Sequence, residues 1–430
     1  MNGRRERRRG SGRRLILPCA VIAAAALAAA GCASSGGSSA SAGGSSSGGS
    51  GVGFTSSTVN IGTSLPLSGP AAADGQEALG AAAYFNYINS LGGVKMKDGH
   101  KRKIQYKYMD DAYDPSRTVT NVHQMVETFH PAILFNLFGT ENVQAVFKYA
   151  AQQQIPMLFA QTGATQWVSE SKTEPWILSD GPSYVFEMKA TVDYINKIHP
   201  GANKIAVLYQ GDSYGADILA GLKAAVAGTK DTIVATQSYS VGTSDVSSQV
   251  ADLSHSGANY FINEAIGTPA TDAITSAAQI KWDVPQFIAY GSANGATLGP
   301  AGAAANGLYS TLWEKDPTAV QWASDPDVAM LKKIGNKFAP SGAQKAAPFY
   351  DGMRTAFLTV YILEHASAPT GKAIMNAALN LTKVNAPLFA GDLPVTTHPG
   401  YPYLVTSMAM WQYKNGTWKE VSQPLSSGTQ

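Results

Sequence analysis

Between Val59 and Tyr290 the chain alternates short apolar runs with segments of helical period, and this alternation constrains the fold more than any other feature. "VNIGTSLPL" (Val59 to Leu67) reads as a strand entering a loop. "GQEALGAAAYFNYINSLGG" has apolar residues at helical spacing and ends on Gly92-Gly93, a helix C-cap signal. "KIQYKYMDD", "AILFNLF" and "IPMLFA" continue as strands. Asp114 and Pro115 suit the N-cap and first turn of the helix "DPSRTVTNVHQMVETF". The pattern restarts with a helix at Tyr184, followed by strands "KIAVLY", "DTIVATQSY", "YFINE" and "PQFIAY" with helices between them. Such alternation predicts an α/β fold of two doubly wound parallel-sheet lobes with right-handed crossovers. Near the C-terminus, "MAMWQYKNGTWKEV" reads as a hairpin turning at Asn415-Gly416.

Ligands of open parallel sheets bind outside the carboxyl ends of the strands. The loops there are "PLSGPAAADG", "FGTEN" and "AQTGATQW" in the first series, and "QGDSYG", "NEAIGTP" and "YGSANG" in the second. They are rich in small residues, so backbone N–H groups can approach a small ligand. Several precede helix N-termini, which favour an anion such as a carboxylate.

The N-terminus speaks to location. Seven arginines and one glutamate fall within residues 1–14, followed by the apolar run "LILPCAVIAAAALAAA". That run is shorter than the ~18–20 apolar residues of a membrane-spanning helix, and Pro18 interrupts it. The pattern is that of a secretory signal peptide over residues 1–31. Small residues before Cys32 match a bacterial lipobox, with lipid expected on the Cys32 sulfur; the bland alternative is an ordinary signal site with an incidental cysteine. Residues 32–56 are mostly Gly, Ser and Ala and read as a flexible tether of about 25 Å end to end. Removing residues 1–31 turns 32 basic and 30 acidic residues into 25 and 29, a net charge of −4. The basic balance therefore belongs to the signal, which argues against a nucleic-acid partner. The two cysteines, Cys19 and Cys32, leave the body to be held by burial rather than disulfides.

Taken in order, "PLSGPAAADG", "INSLGGV", "MDDAYDPSRT", "FGTEN", "QTGATQW", "PSYVFE", "AVLYQGDSYGADILAGL", "WEKDP" with "SDPDV", and "THPGYPY" carry a resemblance. The chain resembles, from Val59 to Val421, the solute-binding proteins of branched-chain amino-acid-type ABC importers, the type I periplasmic binding proteins. The resemblance implies two lobes joined by three hinge crossovers, residues 57–182 plus 310–393 and residues 183–309 plus 394–422, with a tail at 423–430. It implies hinge closure on a small amino-acid-like or carboxylate-bearing solute (amino acid, amide or organic acid), then delivery to ABC permease subunits by a monomer. No catalysis, cofactor or metal is implied.

Carried over by position, a ligand carboxylate would meet Gly139 and Thr140 in one loop and Gly163, Ala164 and Thr165 in the next. Ser68 and Gly69 lie in the first loop, which would line the pocket, and Tyr184 stands where the chain enters the second lobe. Leucine-type binders have acids at the positions of Tyr184 and of the "YGSANG" loop, where this chain has Tyr184 and Gly291-Ser292. Glu264 and Asp212 are the nearest substitutes, with Tyr214 beside the latter. An uncompensated buried ammonium is costly, which leaves open whether the ligand carries one.

Some residues support competing readings. Gly211-Asp212-Ser213-Tyr214-Gly215 matches the G-x-S-x-G turn of serine hydrolases, so a secreted esterase using Ser213 is one alternative. Against it, none of the seven histidines sits in an HGGG-like loop, although His398 lies in a loop beside Pro399, and a strand-to-helix turn capped by Asp212 or Ser213 explains the glycines. A ligand sensor of the same fold is a second alternative. Asp110, Asp111 and Asp114 read as strand-end and cap residues rather than a Ca²⁺ site, and no zinc motif occurs. Thr140 and Thr165 could serve as helix caps. Trp167 could line the site or the core, and Tyr350 reads as packing.

Overall fold

The first strand, β1 (Thr58–Leu65), is buried along nearly its whole length, as befits the middle of a parallel sheet covered on both faces. In the computed structural model, which describes residues 51–427, it joins β2 (Val94–Lys95), β3 (Lys101–Asp110), β4 (Ile133–Phe135), β5 (Met157–Ala160) and β6 (Ile177–Ser179). The expected signal peptide, Cys32 and most of the tether lie outside the described residues. Spatial order in this sheet is β2-β3-β1-β4-β5-β6, parallel except at β2.

A second sheet is built from β7 (Lys204–Gln210), β8 (Thr232–Tyr239), β9 (Tyr260–Glu264), β10 (Gln286–Ile288) and β11 (Tyr309–Leu312), all parallel. The antiparallel β12 (Ser407–Lys414) and β13 (Thr417–Glu420) complete it in the order β13-β12-β11-β10-β9-β7-β8, with β14 (Leu425–Ser426) on β12. The expected hairpin thus forms, with Asn415 and Gly416 both at positive φ. The strand Tyr309–Leu312 straddles the 309/310 division expected between lobes, and it pairs within the second sheet.

In the first sheet β1 lies between β3 and β4, and in the second β7 lies between β8 and β9. The order therefore reverses between β1 and β4, and again between β7 and β9. Open α/β sheets bind ligands at this switch point. The result is the two-lobed α/β architecture that the sequence implies, with the switch points of both sheets facing a common cleft.

One late element completes the first lobe. The helix Ala347–His365 packs along the helix Gln76–Ser90, and glycines set their approach. A Cβ on Gly80 would fall 1.7 Å from the Phe349 carbonyl oxygen, and one on Gly352 would fall 2.0 Å from the Glu77 carbonyl oxygen. Only glycine permits so close a crossing. Its effect is chemical as well as structural, because it brings Glu77 of one helix beside Asp351 and Arg354 of the other.

Candidate functional site

Between the lobes lies a cavity of about 250 Å³. Loops at both switch points line it: Pro70, Ala71 and Asp74 follow β1, Phe138, Gly139 and Thr140 follow β4, Tyr214 follows β7, and Ile266 and Thr268 follow β9. Rings make up much of the wall, including Tyr113, Tyr184, Tyr214, Tyr239, Tyr290 and Trp313. Tyr184 meets Tyr214 edge-on at 5.2 Å, and Tyr290 meets Trp313 edge-on at 5.9 Å.

Charged side chains gather around Arg354, which is 1% exposed. Its Nη1 and Nη2 donate to the two carboxylate oxygens of Asp180 at 2.8 and 2.7 Å, and Nη2 reaches Glu314 at 3.4 Å. The guanidinium also lies 4.8 Å from the Trp313 ring centre. Burial works against its charge, but Asp180, Glu314 and Asp351 more than offset this, so its pKa rises. Glu77 accepts from Asn136 and, at 3.1 Å, from Gln161, both on Oε2. Burial, reinforced by Asp351, Asp180 and Asp74, pushes the Glu77 carboxyl well above the carboxylate range. Asp351 rises strongly as well, through burial and then Glu314. Burial pushes Glu314 up to about 7. Asp74, partly exposed by surface area but deep among protein atoms, is likewise pushed by burial to about 7.

Polar contacts join the lobes across the cleft. Glu141 Oε1 accepts from the Ser213 amide and hydroxyl, both at 3.1 Å. Asp217 Oδ2 accepts from the Thr165 amide at 2.7 Å and hydroxyl at 2.9 Å. Gln210 Nε2 donates to the Tyr113 hydroxyl at 3.3 Å.

Comparison with known proteins decides the family. Residues 58–417 match the family described as periplasmic binding protein. The chain belongs to the periplasmic binding protein family. Among proteins of curated function, none matches it by sequence. Its fold is similar to that of a branched chain amino acid ABC transporter from Thermus thermophilus with bound valine, at 17% identity and a TM-score of 0.76, over 86% of this chain and 98% of that one. It is also similar to a fatty acid ABC transporter substrate-binding protein from Thermomonospora curvata, at 20% identity and a TM-score of 0.71, over 88% and 95% of the two chains. A solute binding protein from R. palustris in complex with 4-hydroxybenzoate gives 17% identity and a TM-score of 0.70 over 86% and 97%.

Within this family setting, the residues expected at the ligand divide into two groups. Gly139, Thr140, Tyr184 and Tyr214 line the cavity. Ser68, Gly69, Gly163, Ala164, Thr165, Asp212 and Glu264 do not, and each has a structural employment. Ser68 donates its hydroxyl to Asp110 at 2.6 Å on the exposed side of its loop, and Gly69, at φ 81°, turns the chain against Ala112. Gly163 lies beneath Tyr184, where a Cβ would come within 2.7 Å of the tyrosine ring. The Ala164 carbonyl accepts from the Tyr403 hydroxyl at 2.7 Å, and Thr165 is the lobe contact described above. Asp212 caps its helix through Gly215 N at 3.1 Å and holds Gln210 at 2.6 Å. Glu264, 2% exposed, accepts from the Tyr214 hydroxyl at 3.1 Å. Burial, then the neighbouring Glu187, pushes its pKa well up.

Tyr184 explains much of this division. Its hydroxyl lies 3.2 Å from Thr140 Oγ1, its amide donates to the Gly163 carbonyl at 2.9 Å, and its ring covers Gly163. The hydroxyl-and-backbone cradle expected to meet a carboxylate therefore holds a side chain of the protein itself. Ser213 opens its helix with its hydroxyl on Glu141, and its partner there is an acid rather than the histidine a nucleophile needs. Asp110, Asp111 and Asp114 all serve loop and cap bonds, and Trp167 and Tyr350 are core residues. Sequence reasoning missed Glu77, Asp180, Glu314, Asp351 and Arg354. The usable signal is Asp351 and Arg354, one helical turn apart within the otherwise apolar "FYDGMRTAFLTVYILE".

Proposed function

We propose that this chain is the solute-capturing subunit of an ABC importer, exported and held by lipid at Cys32 on the outer face of the cytoplasmic membrane. Solute would enter the cleft, the lobes would close over it, and the closed form would be presented to the permease. The observation that supports this most directly is a lined cavity at the switch points of both sheets, bordered by hydrogen bonds from one lobe to the other. Those bonds require the lobes to meet, so whatever favours their meeting favours capture. Among the described residues no helix is long and apolar enough to cross a membrane, and the lipid attachment assigned to Cys32 rests on the small residues that precede it in the sequence.

The test is a melting-temperature screen of the mature chain against amino acids, amides, organic acids and amines, with cellular uptake of each hit measured in the presence and absence of the chain. A stabilising solute whose uptake is lost with the chain supports the proposal. A stabilising solute whose uptake is unchanged turns the reading to sensing. A folded chain that is silent across the screen counts against solute capture.

A further inference from the structure

The proposed capture role leaves the class of solute open, and the charges of the cavity narrow it. We propose that the cleft takes an organic cation, a protonated amine or quaternary ammonium on an apolar body, with its charged head against Glu77 and Asp351 and its body against the aromatic wall. This inference rests on the capture reading and adds the ligand class to it.

Acids outnumber bases around the cavity, and the bases are already engaged. Asp74, Glu77, Asp180, Glu314 and Asp351 all line it, and the basic residues lining it are Arg354 and Lys315. Arg354 is committed to Asp180 and Glu314. Lys315 is committed to Asp325 at 2.9 Å. Asp74, Glu77 and Asp351 have no ion-pair partner among the described residues. Glu77 is the sharpest case. It is 4% exposed, and both its hydrogen bonds fall on Oε2, which leaves Oε1 unpartnered on a side chain that lines the cavity. A buried carboxylate lacking a counter-charge is costly unless it stays protonated. Arg354 offsets Glu77 and Asp351 only in part, against several neighbouring acids, and a cation in the cavity would add to that counter-charge.

Two further observations agree. The aromatic wall suits a cation, since ring faces attract positive charge, and Arg354 already lies over Trp313 in this way. Conversely, part of the cradle expected to greet an anion is taken. Tyr184 covers Gly163 and contacts Thr140, and both cavity-lining basic residues are paired with acids.

The experiment is calorimetry and thermal melting of the mature chain with tyramine, putrescine and choline as cations, and with isovalerate, octanoate and 4-hydroxybenzoate as carboxylates that carry no ammonium group. At least one cation is expected to bind and raise Tm. Glu77→Gln is expected to weaken it tenfold or more without lowering the unliganded Tm, because the amide resembles the protonated acid already favoured there. Asp351→Asn, on the facing helix, supplies the second variant. Cation affinity is expected to rise from pH 6 to pH 8 with protons released on binding, since the head group would draw the carboxyls into their charged form. Binding of any carboxylate in the panel without binding of a cation overturns the class and leaves solute capture standing. Silence of a folded chain toward both sets overturns both. Cation binding unchanged in Glu77→Gln and Asp351→Asn overturns the assigned position.

Discussion

Tyr184 decides what the cleft can offer at one end, because its hydroxyl contacts Thr140 and its ring covers Gly163. Tyr184→Phe removes one buried hydroxyl while Thr140 keeps Thr162 at 2.9 Å; the expected cost, read by denaturant melting, is about 1 kcal/mol. Tyr184→Ala goes further. It is expected to destabilise by about 3–5 kcal/mol and to open the Thr140–Gly163 region, so that a carboxylate gains affinity measurable by calorimetry. Glu77 carries the pH behaviour. Its neighbours are Asp74 just before its helix, Asp180 after β6, and Asp351 and Arg354 on the facing helix. A carboxyl whose folded pKa is raised keeps its proton where the unfolded chain has lost it. Its stabilising contribution is complete below the unfolded value of about 4.3 and is lost as pH rises through the folded value. Unliganded wild type is therefore expected to lose more Tm between pH 5 and pH 8 than Glu77→Gln, as thermal scans at fixed ionic strength would show.

At the scale of elements, the crossing of Gln76–Ser90 with Ala347–His365 is the most sensitive contact. Gly80→Ala would drive a methyl into the Phe349 carbonyl, and backbone cannot swing aside as a side chain does. A loss of about 1–3 kcal/mol is expected on chemical denaturation, with solute affinity falling too because Glu77 and Asp351 separate. Most elements are legible in the sequence because their signals are local. Strand runs such as "KIAVLY", the cap at Asp114 and the Asn415-Gly416 turn each announce themselves within a few residues. The strands β6 and β11 escape such reading because their ILS and YSTL do not form the apolar runs that mark the equally short β4, β5 and β10 within "AILFNLF", "IPMLFA" and "PQFIAY". The acids of the cavity escape it for a different reason. Glu77 reads as an ordinary first-turn acid and Asp180 as a loop residue, and only the folded chain brings them to Arg354. The role of Tyr184 is hidden likewise, since a position aligned with a ligand contact says nothing of where the ring turns.

At the scale of the molecule, the contacts that Glu141 and Asp217 make across the cleft are exposed hydrogen bonds, individually weak at about 0.5–1.5 kcal/mol each. Replacing Glu141 and Asp217 together by Ala is expected to reduce solute affinity about threefold to tenfold, chiefly through faster release, and to enlarge the unliganded radius of gyration in solution scattering. The helix Ala347–His365 has a consequence of another kind. Every strand of the first sheet is complete by Ser179, where β6 ends, yet one of its covering helices begins only at Ala347. Emerging from the ribosome N-terminus first, the sheet waits while β7 through β11 are made before that face is covered. The first lobe is synthesised early but finished late, which keeps the growing chain from sealing its core and leaves it open to holding factors until translation is well advanced.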